Sequence, residues 1–220
     1  MDFKPNFFKI TVIIKNLILV LFLIYSCANF ADINKSELIN LSDLDSDFKI
    51  DLRYATENNF TKMILYKNAV PLIQKPAGLA LLKVNKELKK KGFVLIIYDA
   101  YRPLYVTKQL WDIVKDTNMR FFLANPAKGS VHNRGCSVDV SLFDLKNNCV
   151  VTMPSGYDDM TYRSKTSYKS KTSRENEMRD LLINEMLKQG FLSCSLEWWH
   201  FDYKDWERYP ILNLDFSEIK

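Results

Sequence analysis

The two histidines of this chain each have a carboxylate at short spacing, and this pairing points to metal chemistry. His132 precedes Asp139 by seven residues, and His200 follows Glu197 by three. Catalytic zinc sites commonly take three protein ligands from His, Asp and Glu and leave a fourth position for water. The chain contains only 2 histidines, which excludes a site built from three imidazoles. We therefore predict that His132, Asp139 and His200 bind one Zn²⁺ and that Glu197 is the catalytic base.

Cys136 is an alternative third ligand, because a thiolate also binds zinc strongly. In an extended chain Cys136 and Asp139 point to opposite faces, so only one of them can face His132. Gly135 favours a bend just before them, and the alternation therefore leaves the choice open. A thiol in an exported protein also risks oxidation, and for this reason we favour Asp139.

The spacing of Glu197 and His200 raises a geometric question. Residues three apart share a face on a helix but not on a flat strand, and the intervening Trp198 and Trp199 favour a strand. Both side chains can face one metal only if the chain twists or kinks here. The local pattern leaves this point open.

Hydrophobic periodicity predicts a single α+β domain with a central antiparallel sheet and flanking helices. Helices are predicted at about 77–91, 103–114 and 172–190, and strands at 93–98, 138–143, 149–153 and 196–203. Gly92 and a capping box formed by Thr172 and Glu175 mark helix ends. Residues 162–173 are rich in Tyr, Ser, Lys and Thr without an apolar period, which indicates a mobile surface loop.

The first 28 residues are predicted to be an export signal. Three lysines precede a short apolar run, and small residues follow, as in a secretory signal peptide. Cleavage after Ala28 would release a soluble protein, whereas Ile24-Tyr25-Ser26-Cys27 resembles a bacterial lipobox and would attach the chain to a membrane through a lipidated Cys27. An uncleaved anchor is a third outcome, although the run is shorter than the roughly 20 residues of a spanning helix. We expect an exported protein, either periplasmic or lipid-anchored at the bacterial envelope.

Composition predicts the organisation, charge and cysteine pairing of the rest of the chain. Residues 29–47 are polar and acidic and are expected to form an extended lead-in to one domain at 48–220. Removal of residues 1–28 takes away three Lys and one Asp, so the net charge falls from +5 to +3. The basic residues form no stripe with interleaved aromatics, which argues against nucleic acid as a partner. Cys136, Cys149 and Cys194 remain, and this odd number predicts one disulfide and one free thiol.

The motifs together resemble the bacterial zinc D-alanyl-D-alanine dipeptidases of the M15 peptidase family. The metal motifs are Ser-x-His-x-x-Gly-x-x-x-Asp from residue 130 and Glu-x-x-His from residue 197. Further blocks resemble the family at 51–60 (DLRYATENNF), 98–103 (YDAYRP), 156–160 (GYDDM) and 197–203 (EWWHFDY). They occur in the family's order from about residue 48 to 206. The departures are Cys136, where small residues without a thiol are common, and the loop that begins at Tyr162.

The resemblance implies a role for each matched residue. His132, Asp139 and His200 would bind zinc, Glu197 would be the base, and Arg102 would stabilise the transition state. From the residues alone, a salt bridge between Arg102 and its neighbour Asp99 is an equally good interpretation.

The resemblance also implies the substrate. Asp158 would receive the free ammonium of a small D-amino-acid dipeptide, with Asp159 as the alternative, and Ser130 would contact the substrate. The implied reaction is hydrolysis of D-Ala-D-Ala to two D-alanines in peptidoglycan metabolism. Two alternatives are a related D,D- or L,D-carboxypeptidase acting on longer peptidoglycan stems and a non-catalytic cell-wall binding protein.

Overall fold

The computed structural model describes residues 36–219. The strands are Leu38–Asn40 (β1), Lys49–Ile50 (β2), Leu72–Gln74 (β3), Phe93–Asp99 (β4), Ser137–Asp144 (β5), Cys149–Val150 (β6), Phe191–Ser193 (β7) and His200–Tyr203 (β8). The helices are Leu41–Leu44 (α1), Lys75–Lys89 (α2), Leu104–Val114 (α3) and Ser173–Lys188 (α4).

A central sheet with flanking helices organises the domain, as predicted. Its strand order is β2-β4-β5-β8-β7, and β6 pairs with the end of β5. The β4–β5, β5–β8, β7–β8 and β5–β6 pairs are antiparallel. The prediction of a purely antiparallel sheet was wrong at one edge, because β2 runs parallel to β4. Strands β1 and β3 form a separate antiparallel pair.

Strand β4 forms the centre of the core. All seven of its residues are buried: Phe93 to Tyr98 have apolar or aromatic side chains, and Asp99 is paired with Arg102. Helix α2 packs on β4 and presents the fully buried Leu81, Val84 and Leu88 at helical spacing. The chain leaves α2 through Gly92, whose φ of 87° lies in the left-handed region that glycine adopts without strain.

Helix α4 begins where the capping box was predicted, but only half of the box forms. The Thr172 hydroxyl accepts a hydrogen bond from the backbone N–H of Glu175 at 3.4 Å. The Glu175 carboxylate accepts from the Ser170 hydroxyl instead of returning to the cap residue. The predicted surface loop at 162–173 is hydrogen-bonded to the rest of the domain, since Arg179 of α4 donates to the Tyr168 carbonyl.

The lead-in was predicted as extended over 29–47, and its described part contains regular structure. Residues 38–44 form β1 and α1, and Leu41 is fully buried in the core. The predicted export signal at 1–28 lies outside the described residues. Within residues 36–219, no helix combines the length and the apolar character that crossing a membrane requires.

The cysteines contradict the expected disulfide. Cys136, Cys149 and Cys194 are all free. Cys149 pairs with Asp144 at the far end of β5, and Cys136 immediately precedes that strand. Eight residues of extended chain span about 26 Å, whereas disulfide-bonded Cα atoms lie within about 7 Å. Cys194 lies beyond β8, which separates it from β5.

Candidate metal centre and active site

The central sheet brings His132, Asp139 and His200 together. Asp139 of β5 lies directly opposite His200, the first residue of β8. His132 lies in the short 3₁₀ turn Val131–Arg134 that leads into β5. One ligand atom from each of the three side chains lies within 4.8 Å of the other two. The structure therefore contains a candidate His-Asp-His metal site.

The hydrogen bonds of His132 leave one ring nitrogen free to bind a cation. Its Nδ1 lies 2.7 Å from the carbonyl oxygen of Ala100. Because a carbonyl can only accept, Nδ1 carries a proton, and Nε2 is the ring nitrogen that remains for a metal ion. Nε2 faces the site, 3.3 Å from Asp139 Oδ1 and 3.2 Å from His200 Nδ1.

His200 also has one ring nitrogen bonded outside the site and one that faces it, but here Nδ1 faces the site. Its Nε2 lies 3.0 Å from Asp202 Oδ1, and its Nδ1 lies 3.0 Å from Asp139 Oδ1. Metal-binding histidines usually donate their second N–H to a carbonyl or carboxylate, as both imidazoles do here. The two free nitrogens point towards the same carboxylate oxygen.

Asp139 is buried and ionised. Burial acts to raise its pKa, but the neighbouring His132 and His200 outweigh burial and hold the pKa well below its usual range. Its second oxygen, Oδ2, accepts a hydrogen bond from the Tyr157 hydroxyl at 3.0 Å. Oδ1 therefore remains directed at the imidazoles.

Cys136, the alternative ligand, lies outside the metal group. Its thiol is fully buried and contacts the carbonyl oxygen of Arg134 at 3.6 Å. Burial raises the pKa of this thiol to about 12, which disfavours the thiolate that a metal would need. The geometry thus agrees with the preference for Asp139.

Glu197 lies in a turn before β8, and this turn answers the geometric question. The strand begins at His200, and the backbone N–H of His200 closes the turn on the Glu197 carbonyl at 3.3 Å. Trp198 anchors the turn through a 2.9 Å bond from its Nε1 to the Ser155 hydroxyl. Strand alternation therefore does not apply, and Glu197 lines the same cavity as the metal group.

The environment of Glu197 suits proton transfer near neutral pH. Burial raises its pKa to about 7; the charge of Asp139 adds to this shift and that of His200 opposes it. A carboxyl group with a pKa near the working pH can both accept and return a proton.

Arg102 forms the salt bridge to Asp99 that was considered for it, and its role towards the transition state stays a prediction. Its Nε and Nη2 donate to Asp99 Oδ2 at 2.9 and 2.6 Å, and both residues are buried. Asp99 Oδ1 accepts from the Tyr66 hydroxyl at 2.8 Å. The guanidinium also lines the cavity and lies 3.9 Å from Asp139 Oδ2 through Nη2. The salt bridge to Asp99 thus fixes a cation beside the metal group.

Asp158 lines the same cavity, and Asp159 does not. The Tyr54 hydroxyl lies 3.2 Å from Asp158 Oδ2. Burial, together with the charges of Asp139 and Glu197, raises the pKa of Asp158 well above its usual value. Its φ of 57° is a left-handed conformation that Asp tolerates better than most residues. A cationic ligand group would relieve this concentration of negative charge.

Ser130 supports the turn that carries His132. Its hydroxyl accepts from the backbone N–H of His132 at 3.3 Å, and its own N–H donates to Asn133 Oδ1 at 2.7 Å. It also lines the cavity, so its contact with substrate stays a prediction.

The cavity that joins these side chains has a volume of about 350 Å³. This is near the lower end of the range for small-molecule sites, about 300–1,000 Å³. Phe121, Phe122 and Leu123 form an apolar part of its wall. A small ligand in this cavity would therefore contact charged side chains on one side and apolar side chains on another.

Comparison with known proteins decides the family. The M15 peptidase model, described as D-ala-D-ala dipeptidase, matches residues 34–219. The chain belongs to this family. It is accordingly a metallopeptidase.

Several relatives and solved structures resemble the chain over most of its length. A D-alanyl-D-alanine dipeptidase of Escherichia coli (strain K12) is 35% identical over 182 residues, 83% of this chain and 92% of that protein. A D-alanyl-D-alanine dipeptidase of Enterococcus faecium is 30% identical over 193 residues, 80% of this chain and 95% of that protein. The solved structure of an LD-carboxypeptidase, LdcB, aligns with a TM-score of 0.47 at 17% identity, covering 85% of this chain and 80% of that one.

Three side chains around the M15 site were not identified from the sequence. Tyr54 donates to Asp158, Tyr157 donates to Asp139, and Asp202 accepts from His200. Asp202 could have been found from the sequence, because residues two apart on a strand share a face. The partners of the two tyrosines depend on long-range packing that no local pattern records.

Proposed function

We propose that this M15 metallopeptidase hydrolyses D-Ala-D-Ala to two D-alanines with one Zn²⁺ per chain. The observation that carries the proposal is a single small cavity that holds the His-Asp-His group, Glu197 and the half-buried carboxylate of Asp158. The names of the E. coli and E. faecium relatives support the same substrate.

The donor set fits zinc. Two imidazole nitrogens and one carboxylate oxygen are the ligand types of hydrolytic zinc sites, which keep a further position open. His132 would bind through Nε2, His200 through Nδ1 and Asp139 through Oδ1, because these atoms converge while their neighbours are hydrogen-bonded elsewhere. When bound, zinc lowers the pKa of a water molecule and polarises the scissile carbonyl.

The chain's own residues supply the remaining chemistry. Glu197 accepts the proton of the attacking water and passes it to the leaving amine. Its pKa of about 7 suits both transfers at neutral pH. Arg102 carries a positive charge that Asp99 fixes in place, and this charge opposes the negative charge that develops on the carbonyl oxygen.

Asp158 gives the site its preference for a free amino terminus. An ammonium group placed against Asp158 would neutralise a carboxylate that burial and two neighbouring acids disfavour. An N-acylated peptide has no such charge to place against Asp158. These features favour a dipeptidase over a carboxypeptidase that acts on longer stems.

The direct test measures D-alanine release from D-Ala-D-Ala by the purified protein, with added zinc and with a chelator. We expect release that the chelator abolishes and that zinc restores, since the metal group is the only such cluster among residues 36–219. An N-acylated tripeptide ending in D-Ala-D-Ala serves as the comparison substrate. Preference for that tripeptide would replace the dipeptidase proposal with a carboxypeptidase.

The Asp158→Asn variant tests the ammonium contact. We expect KM for D-Ala-D-Ala to rise by about 10–100-fold with a smaller change in kcat, because a charge-assisted bond of about 1.5–3 kcal/mol is lost. Initial rates over a range of dipeptide concentrations give both constants. Asp159→Asn is the matched control, since Asp159 does not line the cavity. The proposal for Asp158 fails if the two variants have the same KM.

Export and lipidation are part of the proposal and rest on residues 1–28. The basic residues, apolar run and lipobox-like Ile24-Tyr25-Ser26-Cys27 support export with lipid attachment at Cys27 or cleavage after Ala28. Mass spectrometry of the mature N-terminus would distinguish a lipidated Cys27 from a chain that begins at Asn29.

A further inference from the structure

A chain of hydrogen bonds crosses from β5 to the outer side of His200. Register places Ser137 opposite Asp202 and Asp139 opposite His200 on the adjacent strands. Residues two apart on a strand share a face, so these four side chains lie on one face of the sheet. The Ser137 hydroxyl donates to Asp202 Oδ1, and His200 Nε2 lies 3.0 Å from the same oxygen.

We propose that Asp202, held by Ser137, is a positioning residue that sets the tautomer and the ring orientation of His200 for metal binding. This inference rests on the proposed metal site and goes beyond it, because Asp202 supplies no ligand atom to the three-residue group. An ionised carboxylate can only accept, so its bond holds a proton on Nε2 and makes Nδ1 the ring nitrogen that a metal ion would take.

The alternative tautomer would inactivate the ligand. With the proton on Nδ1, His200 would donate to Asp139 Oδ1, which lies 3.0 Å away, and both atoms would be unavailable to a cation. Asp139 thus favours a proton on Nδ1, the nitrogen that a metal ion must take, whereas Asp202 on the opposite side of the ring favours a proton on Nε2. His132 needs no such side chain, because the Ala100 carbonyl fixes its tautomer.

Ser137 holds the Asp202 carboxylate in the position from which it can bond to His200. The Asp202 side chain is 27% exposed and would otherwise be free to turn towards solvent. Ser137 is fully buried within the sheet, and its hydroxyl holds Oδ1 at the position that His200 needs. The pair therefore fixes the ring at lower conformational cost than a mobile carboxylate could.

The test measures zinc affinity, by competition with a chromophoric chelator, for the wild-type protein and for Asp202→Asn. An amide has the shape of the carboxylate but no charge, and its NH₂ can donate to Nε2 and so stabilise the wrong tautomer. We expect the zinc dissociation constant to rise by about 10–100-fold, which is typical when such an outer partner is lost. Glu207→Gln is the control: it makes the same charge change on an exposed turn and should bind zinc as the wild type does.

Two further measurements separate positioning from general destabilisation. Ser137→Ala leaves the carboxylate in place, so its zinc affinity should lie between those of the wild type and Asp202→Asn. The visible absorption spectrum of the Co²⁺-loaded protein should change in Asp202→Asn and not in Glu207→Gln, because it reports the geometry around the metal.

The outcomes distinguish this inference from the proposed function. Zinc affinity is measured without substrate, so failure to cleave D-Ala-D-Ala would leave the inference intact. Equal zinc affinity in the wild type and in folded Asp202→Asn would overturn the inference and leave the dipeptidase proposal standing. A wild-type protein that binds no zinc would overturn both.

Discussion

Replacing Glu197 with glutamine is expected to lower kcat for D-Ala-D-Ala by about 10²–10⁴-fold, the usual contribution of a positioned acid–base group. Glutamine keeps the size of the side chain and can still hydrogen-bond to water, but it cannot accept and return the proton. KM should change little, because Glu197 is not proposed to contact the ammonium or the carboxylate of the dipeptide. Steady-state kinetics at saturating zinc would measure both constants.

The controls for Glu197→Gln address the metal and the fold. The variant should retain one zinc per chain, since Glu197 lies outside the His-Asp-His group. Its thermal stability should equal or exceed that of the wild type, because burial already disfavours the charged carboxylate. Loss of zinc together with activity would instead make Glu197 a ligand, and the assigned roles would be wrong.

The Arg102→Lys variant has the second largest expected effect. We expect kcat/KM to fall by about 10²–10³-fold, comparable to the loss of one donor to a developing oxyanion. Lysine keeps the positive charge beside Asp99 but lacks the planar fork, of which Nε and Nη2 both bind Asp99. The charge would then be poorly oriented towards the substrate.

The choice of lysine also limits damage to the fold. Removing the cation altogether would leave the buried Asp99 without a positively charged partner, a change that typically costs about 3–5 kcal/mol. Arg208→Lys is the matched control, because Arg208 lies on the surface turn Trp206–Arg208 away from the cavity. If both variants keep wild-type kcat/KM, Arg102 acts only as the structural partner of Asp99.

Much of this protein could be predicted from local patterns. The buried strand at 93–99 and helix α2 follow from a continuous apolar run and from helical spacing, both of which act over a few residues. The family resemblance rested on several motifs in a fixed order, and the match over residues 34–219 confirms it. The metal group contains the three residues expected from two histidines and a nearby carboxylate.

Errors in the sequence interpretation arose where distant segments meet. The parallel pairing of β2 with β4 could not be read from two residues, Lys49 and Ile50, that carry no apolar alternation. A disulfide was expected because disulfides are typical of exported proteins, but the arrangement of β5, β6 and β8 keeps the three cysteines apart. The described part of the lead-in forms β1 and α1 instead of staying wholly extended, because Leu41 is fully buried in the core.

The sequence by itself determined which residue types are available for chemistry: two imidazoles, a neighbouring carboxylate for each, and an arginine beside an aspartate. Tertiary structure decided what each of them does. The β5–β8 register places Asp139 opposite His200, and the turn before β8 brings Glu197 into the same cavity. Tertiary contacts also choose the nitrogen that each imidazole offers, through the Ala100 carbonyl and Asp202. The physical reason is that hydrogen-bond geometry and burial depend on atoms far apart in the chain, whereas a sequence motif records only neighbours.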